Sequence, residues 1–166
     1  MPGSFPHNAG MANTGDVLEN PFTGQNLTFR QTTADTGGEL LEVESSWASA
    51  GQEPPEHYHP HQEERFEVLE GELRARVAGA EHALRAGDTL EVPAGTPHSM
   101  WNPGPGPARA VWQTRPALRT EGFFELVWGL AQAAKTNAQG GPTPDEAAAM
   151  MREYADEFRL GRPGSG

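Results

Sequence analysis

The stretch GQEPPEHYHPHQEERFEVLEG, residues 51–71, and its companion GDTLEVPAGTPHSMWN, residues 87–102, decide the reading of this chain. Four of their residues, His57, His59, Glu64 and His98, offer three imidazoles and one carboxylate. Successive side chains of a strand point to opposite faces, so the i, i+2 pair His57 and His59 aims both rings the same way. Glu64 lies at odd spacing from His59, which on one uninterrupted strand would turn it to the other face. Pro60 and the polar run His61-Gln62-Glu63 therefore predict a bend that resets the register. Beyond it Glu64, Phe66 and Val68 share a face while Arg65 and Glu67 alternate outward, the pattern of a half-buried strand with a carboxylate at the mouth of an apolar interior. In the companion stretch Gly87-Asp88 is a turn and Thr89-Leu90-Glu91-Val92 a strand, which Pro93-Ala94-Gly95-Thr96-Pro97 cannot continue. His98 opens the next strand, with Met100 and Asn102 on the same face and Pro97 stiffening the entry.

The remaining histidines belong to no spaced set. His7 and His82 read as solvated surface residues, and His61, although it shares the parity of His57 and His59, follows Pro60 in the expected bend and reads as surface too. Gly95 is expected to need a backbone conformation open to glycine, so that Gly95→Val would harm folding.

Working outward, Leu27-Thr28-Phe29-Arg30 and Glu39-Leu40-Leu41-Glu42-Val43-Glu44 read as strands separated by the turn-rich Asp35-Thr36-Gly37-Gly38. Between the two stretches Leu73, Ala75 and Val77 alternate with Arg74 and Arg76, Gly79-Ala80 turns, and Glu81-His82-Ala83-Leu84 returns. After the Pro/Gly loop of residues 102–107, Ala108-Arg109-Ala110-Val111-Trp112-Gln113 closes the series, so short strands with Gly/Pro turns predict a sandwich or barrel. Past Pro116 the period changes. Phe123, Leu126, Val127, Leu130 and Ala134 mark one helical stripe, and Thr143-Pro144-Asp145-Glu146 resembles a helix start whose stripe runs Ala147, Met150, Met151, Tyr154, Phe158. These two helices are expected to cover the outside of the barrel or to build a dimer contact. The expected organisation is a flexible arm over 1–25, a barrel over 26–115, a helical extension over 116–160 and a flexible tail over 161–166.

Composition narrows the chemistry. A chain of 166 residues with 36% hydrophobic content suits one domain. The absence of Cys excludes a disulfide framework and thiol catalysis, and leaves only nitrogen and oxygen ligands for a metal. No basic start followed by an apolar run and no long apolar stretch is present, so a cytoplasmic protein without membrane contact is expected. The net charge of −11, with Lys and Arg scattered, argues against nucleic acid as partner.

Gly51, His57, His59, Glu64 and Gly71, then Gly87, Pro93, Gly95, His98 and Asn102, resemble the two consensus motifs of the cupin superfamily at every fixed position. The resemblance covers roughly residues 27–114 and is to the small, single-domain bacterial cupins, of the type that includes quercetinase-like dioxygenases. It implies a mainly β fold, a double-stranded β-helix or jelly-roll barrel, with the C-terminal helices packed outside. It also implies that His57, His59, Glu64 and His98 hold one divalent transition metal: Fe, Mn, Ni, Cu or Zn. Four protein ligands would leave one or two coordination positions open, and the net positive centre would favour an anionic oxygen donor. The leading expectation is a metal-dependent dioxygenase acting on a small enolisable or hydroxylated aromatic compound. Glu64 would be both ligand and catalytic base, with Phe66 and Met100 ranked ahead of Trp101 and Trp112 as pocket walls. A metal-dependent isomerase or lyase and a non-catalytic small-molecule sensor are the alternatives. The expected partner is a small-molecule ligand or substrate, and the expected assembly a homodimer.

Overall fold

The computed structural model describes residues 12–138 and 140–164. In chain order it contains β1 (Val17–Glu19), β2 (Gln25–Gln31), one helical turn α1 (Thr33–Thr36), β3 (Leu41–Trp47), β4 (His57–Tyr58), β5 (Glu63–Glu70), β6 (Glu72–Val77), β7 (Ala80–Arg85), β8 (Thr89–Val92), β9 (His98–Trp101), β10 (Ala108–Arg115), α2 (Thr120–Gln132), α3 (Pro144–Glu153) and β11 (Arg159–Leu160). The strands form two antiparallel sheets, ordered β1-β2-β3-β10-β5-β8 and β11-β4-β9-β6-β7, which together make a jelly roll.

Alternation along the strands decides what faces the interior. Across the first sheet Trp112 lies opposite both Val43 and Phe66, and Thr114 opposite both Leu41 and Glu64, so these residues share one face. Between the sheets Val68, Leu73, Ala75, Leu84, Ala108 and Ala110 form one apolar cluster. The bend expected at Pro60 exists, with Pro60 and His61 in a turn, and its consequence is larger than a reset of register. It carries the chain from β4 in one sheet to β5 in the other, so His57 and His59 look across the interior at Glu64.

The first sheet is wider than the second, and α2 and α3 lie beside the region where the two sheets face each other. There Phe123, Phe124, Trp128, Met150 and Tyr154 cover Leu27, Phe29, Leu41 and Val43. Burying an aromatic or aliphatic side chain of this size contributes about 1.5–3 kcal/mol, so the helical extension is integral to the core. Trp128 Nε1 donates to the Gln25 carbonyl at 2.9 Å, which satisfies the buried indole. The buried apolar side chains of α2 are Phe123, Phe124, Trp128 and Ala131, whereas Leu126, Val127 and Leu130 are half-buried and Ala134 exposed. The core-facing stripe is thus rotated from the expected one because Phe124 packs on Trp112, with ring centroids 4.8 Å apart. At the start of α3 Thr143 caps the helix by accepting from the Glu146 amide, with Pro144 in the first turn as expected.

Three expectations need correction. Part of the segment read as a flexible arm is a strand: β1 pairs with β2, and the Asn20 side chain is buried, accepting from the Phe22 and Thr23 amides. Residues 1–11 of that arm, His7 included, lie outside the described residues, as do residues 165–166 of the tail. Around Asp35 the chain forms α1 rather than an open turn, because Thr32 and Asp35 make a capping box and Gly37 ends the helix in a left-handed conformation. Finally, α3 stops at Glu153, so Phe158 is not on its stripe. Tertiary contacts override the helical spacing there, since residues 159–160 pair with β4. Among the described residues no helix is long and apolar enough to cross a membrane.

Candidate metal centre

His57, His59, Glu64 and His98 each offer one ligand atom, and those atoms all lie within 4.8 Å of one another. β4 and β9 are neighbours, with His57 in register with His98, and their ring centroids are 4.4 Å apart. Glu64 approaches from the opposite sheet. Its Oε1 sits 2.9 Å from His59 Nε2 and 2.7 Å from His98 Nε2, while its Oε2 accepts a 2.5 Å hydrogen bond from Trp112 Nε1.

The far nitrogens explain which lone pairs face inward. His59 Nδ1 is 2.7 Å from the Glu157 carbonyl and His98 Nδ1 is 2.9 Å from the Thr96 carbonyl. A carbonyl only accepts, so each Nδ1 carries the hydrogen and each neutral ring presents a bare Nε2. Two such lone pairs and a carboxylate oxygen converging on one buried point repel each other unless a cation lies between them. His59 Nε2 is buried without a hydrogen-bond partner despite its closeness to Glu64 Oε1, an orphaned donor atom of the kind a metal would satisfy. The three nitrogens and one oxygen fit a divalent transition metal.

Without a metal the cluster holds charge in a defined way. Burial disfavours the charged form of His59, but the Glu64 carboxylate outweighs it and raises the His59 pKa above its ordinary 6.5. Burial likewise opposes ionisation of Glu64, yet His59 and His98 hold its pKa well below the usual carboxylate range. Burial, then the charges of His98 and His59, push His57 down to about 3, so this ring stays neutral and ready to ligate. A metal must therefore displace a proton at His59. Because that pKa is raised, the proton is bound below it, and metal affinity should fall by roughly tenfold per pH unit as pH drops beneath it, then level off above. Zn²⁺ affinities measured between about pH 5.5 and about pH 8.5 check this, and a flat profile would contradict the proton competition.

The other sequence-read residues fall as follows. His61 and His82 are exposed and stand outside the cluster. Phe66 is buried and stacks on Trp112 at 5.5 Å between centroids, next to Glu64 on the inner face. Met100 is half-buried, lies opposite Ala75 and packs on the cluster between the sheets. Gly95 has φ +78°, and its amide donates to the His59 carbonyl at 2.8 Å. Asn102 is buried and ties the following loop together: its amide donates to the Ser49 and Gly106 carbonyls, and its Oδ1 accepts from the Gly104 amide.

Sequence reasoning weighed Trp112 only as a wall, but its N–H fixes which oxygen of Glu64 faces the histidines. Parity held the clue, because an indole on an interior face needs an acceptor. Trp112→Phe keeps a ring against Phe66 and Phe124 and removes the donor. It should weaken metal binding by about tenfold, as loss of an outer partner of a ligand typically does, with the fold intact by circular dichroism. The roles of the Glu157 and Thr96 carbonyls had no sequence signal, since backbone atoms carry none.

Residues 48–114 match the family model described as "Cupin domain". The chain is 37% identical over 81 residues to the tetracenomycin polyketide synthase protein TcmJ of Streptomyces glaucescens, a match that covers 49% of this chain and 52% of that protein. It is 36% identical over 86 residues to quercetin 2,3-dioxygenase of Bacillus subtilis, covering 52% of this chain and 23% of the dioxygenase. The chain thus spans about half or less of the length of these curated relatives. Among solved structures an RmlC-like cupin from Shewanella frigidimarina superposes with a TM-score of 0.53 at 21% identity, over 64% of this chain and 87% of that one, a likeness of fold. The four converging donors and the two facing sheets agree with the match of residues 48–114 to the cupin domain model.

Proposed function

We propose that this chain is a metal-dependent dioxygenase acting on a small enolisable or hydroxylated aromatic compound, with His57, His59, Glu64 and His98 as the metal ligands. The observation that carries the reading is the convergence of three imidazoles and one Glu64 oxygen while the other Glu64 oxygen is tied to Trp112. The names of two relatives, a polyketide synthase protein and a quercetin dioxygenase, fit a hydroxylated aromatic substrate. A transition metal bound there would supply an open position for an anionic substrate oxygen and electron exchange with dioxygen. Zinc does no redox chemistry, so iron, manganese, nickel or copper suits this reading and zinc suits an isomerase.

The residues of the chain divide the remaining work. With Oε2 held by the indole, Glu64 Oε1 is the oxygen that would take the hydroxyl proton of the substrate, and it could do so only when released from its place as a ligand. The buried His59 and His98 rings keep water from the ligand side. Phe66 and Trp112, stacked on each other, form an aromatic wall beside Glu64, and Met100 lines the interior beyond them. Dioxygen is both oxidant and co-substrate, and with both its atoms entering the products no external reductant is required.

The test is anaerobic purification, metal analysis and loading with each of the four redox metals, followed by oxygen-electrode screening against phenols, flavonols and diketones. Oxygen uptake that requires metal and disappears in Glu64→Gln is the expected outcome. Turnover without uptake would assign an isomerase or lyase, and tight binding without turnover a sensor.

A further inference from the structure

The ligand strand β4 is only two residues long, and its pairing with β9 rests on one register pair, His57 with His98. Its other edge is covered by the end of the chain. Arg159 pairs with Tyr58 and Leu160 with His57, the Gly161 amide donates to the Glu56 carbonyl at 2.8 Å, and Arg162 Nε meets Glu56 Oε1 at 2.8 Å. The turn leading into this strand touches both ligands of β4 and its exit. The Glu157 carbonyl accepts from His59 Nδ1, and the Phe158 ring stacks on His57 at 4.8 Å with an interplanar angle of 23°.

One side chain holds that turn. Arg119, just before α2, reaches Glu157 Oε1 through Nε at 3.1 Å and Glu153 Oε1 through Nη1 at 2.9 Å, and donates through Nη2 to the Glu153 carbonyl. Its guanidinium also lies over the Tyr154 ring, 4.9 Å from the centroid. Glu157 is 2% exposed, so Arg119 is the cationic partner of a buried carboxylate. Isolated surface ion pairs matter little, but here one guanidinium makes three hydrogen bonds and a ring contact on a single turn.

We propose that Arg119 is a positioning residue of the metal centre: by anchoring the Glu153–Glu157 turn it holds the Glu157 carbonyl on His59 and the Phe158 ring on His57. The carbonyl keeps hydrogen on Nδ1 and the lone pair on Nε2, and the ring keeps His57 in plane. Without Arg119 the buried Glu157 carboxylate turns toward water and draws its carbonyl off His59, so the ring samples both tautomers. This inference rests on the four-donor reading of the site, and its test separates the two.

The full-length parent, Arg119→Ala, Arg119→Lys and a control, Leu84→Ala, are compared for Co²⁺ affinity, metal-free melting temperature and the His59 tautomer. The tautomer is read from ring ¹⁵N shifts of the metal-free protein at alkaline pH. Leu84 is buried in β7, at the opposite edge of the second sheet from β11 and β4. Arg119→Ala should lose about tenfold or more in Co²⁺ affinity and show mixed tautomers. Arg119→Lys should recover part of both, while Leu84→Ala should lower the melting temperature and move neither. The proposal is overturned if Arg119→Ala matches the parent in affinity and tautomer, or if Leu84→Ala loses as much affinity for the same loss of stability. If the parent binds no Co²⁺ the four-donor reading falls, and the tautomer comparison still decides what Arg119 does. Should Arg119→Ala fail to fold, Glu157→Gln, which removes the charge Arg119 holds, carries the same comparison.

Discussion

Replacing His59 by Ala should lower affinity for a divalent metal by about a hundredfold or more while the two sheets stay folded. Four-ligand sites release about 10–16 kcal/mol on binding, so one ligand accounts for about 3 kcal/mol, or two decades in affinity. The loss is visible without any substrate. A metal supplied at about a hundred times the parent's Kd stabilises the parent by about 2.7 kcal/mol, which raises the melting temperature by roughly 5–10 °C at this size. The same concentration lies near the Kd of the variant and stabilises it by only about 0.4 kcal/mol. The metal-free fold should survive because Glu64 keeps the hydrogen bond from Trp112 Nε1 and can draw a proton onto His98 Nε2, 2.7 Å away, so it is not left as an orphaned buried charge. Differential scanning with and without metal, together with metal content per chain, measures both halves. If His59→Ala keeps the full metal-induced shift, the ring is not a ligand.

What could be read from the sequence and what could not differ in a physical way. The ligand set was legible because side-chain direction on a strand follows parity, and because Pro60 marked where parity had to break. The sequence did not say that the break changes sheets, since pairing partners are non-local. The alternation that puts Glu64, Phe66 and Val68 on one face was likewise local, and the structure has all three buried. The C-terminal end was misread for the opposite reason. Phe158 falls at helical spacing after Met151 and Tyr154, yet the last strand pairs with β4 and the turn before it bonds to His59, 98 residues away. Local propensity yields there to long-range pairing. Phe124 and Trp128 join Phe123 in the core although the spacing from Phe123 does not select them, and the contact of Phe124 with Trp112 is what brings that side of α2 inward. Both of these misses concern contact between distant segments, whereas α1 was missed although its Thr32–Asp35 capping box is local.

A second large effect is expected far from the ligands. Gly71 joins β5 to β6 at φ +75°, and a Cβ added there would lie 2.2 Å from the Pro107 carbonyl oxygen and 3.0 Å from the Ala108 Cα. Both obstacles are backbone, held in place because Ala108 begins β10, so neither can swing aside. Gly71→Ala then meets two costs: about 1–2 kcal/mol for an L-residue in the left-handed region, and about 1–3 kcal/mol for forcing the strands apart. The sum, about 2–5 kcal/mol, corresponds to a fall of roughly 10 °C in melting temperature at this size. Gly95 gives the matched comparison. It has φ +78°, but a Cβ there meets nothing within 4 Å, so Gly95→Ala carries the conformational cost alone, about 1–2 kcal/mol or roughly 5 °C. The expected order is therefore parent, Gly95→Ala, Gly71→Ala, by thermal unfolding of the metal-free protein. Metal bound per folded chain should stay unchanged in Gly71→Ala, because the strain acts between β5, β6 and β10 at the far end of β5 from Glu64. Equal melting temperatures for the two variants would mean that the Pro107 carbonyl yields, and that the close approach of these strands is softer than their geometry implies.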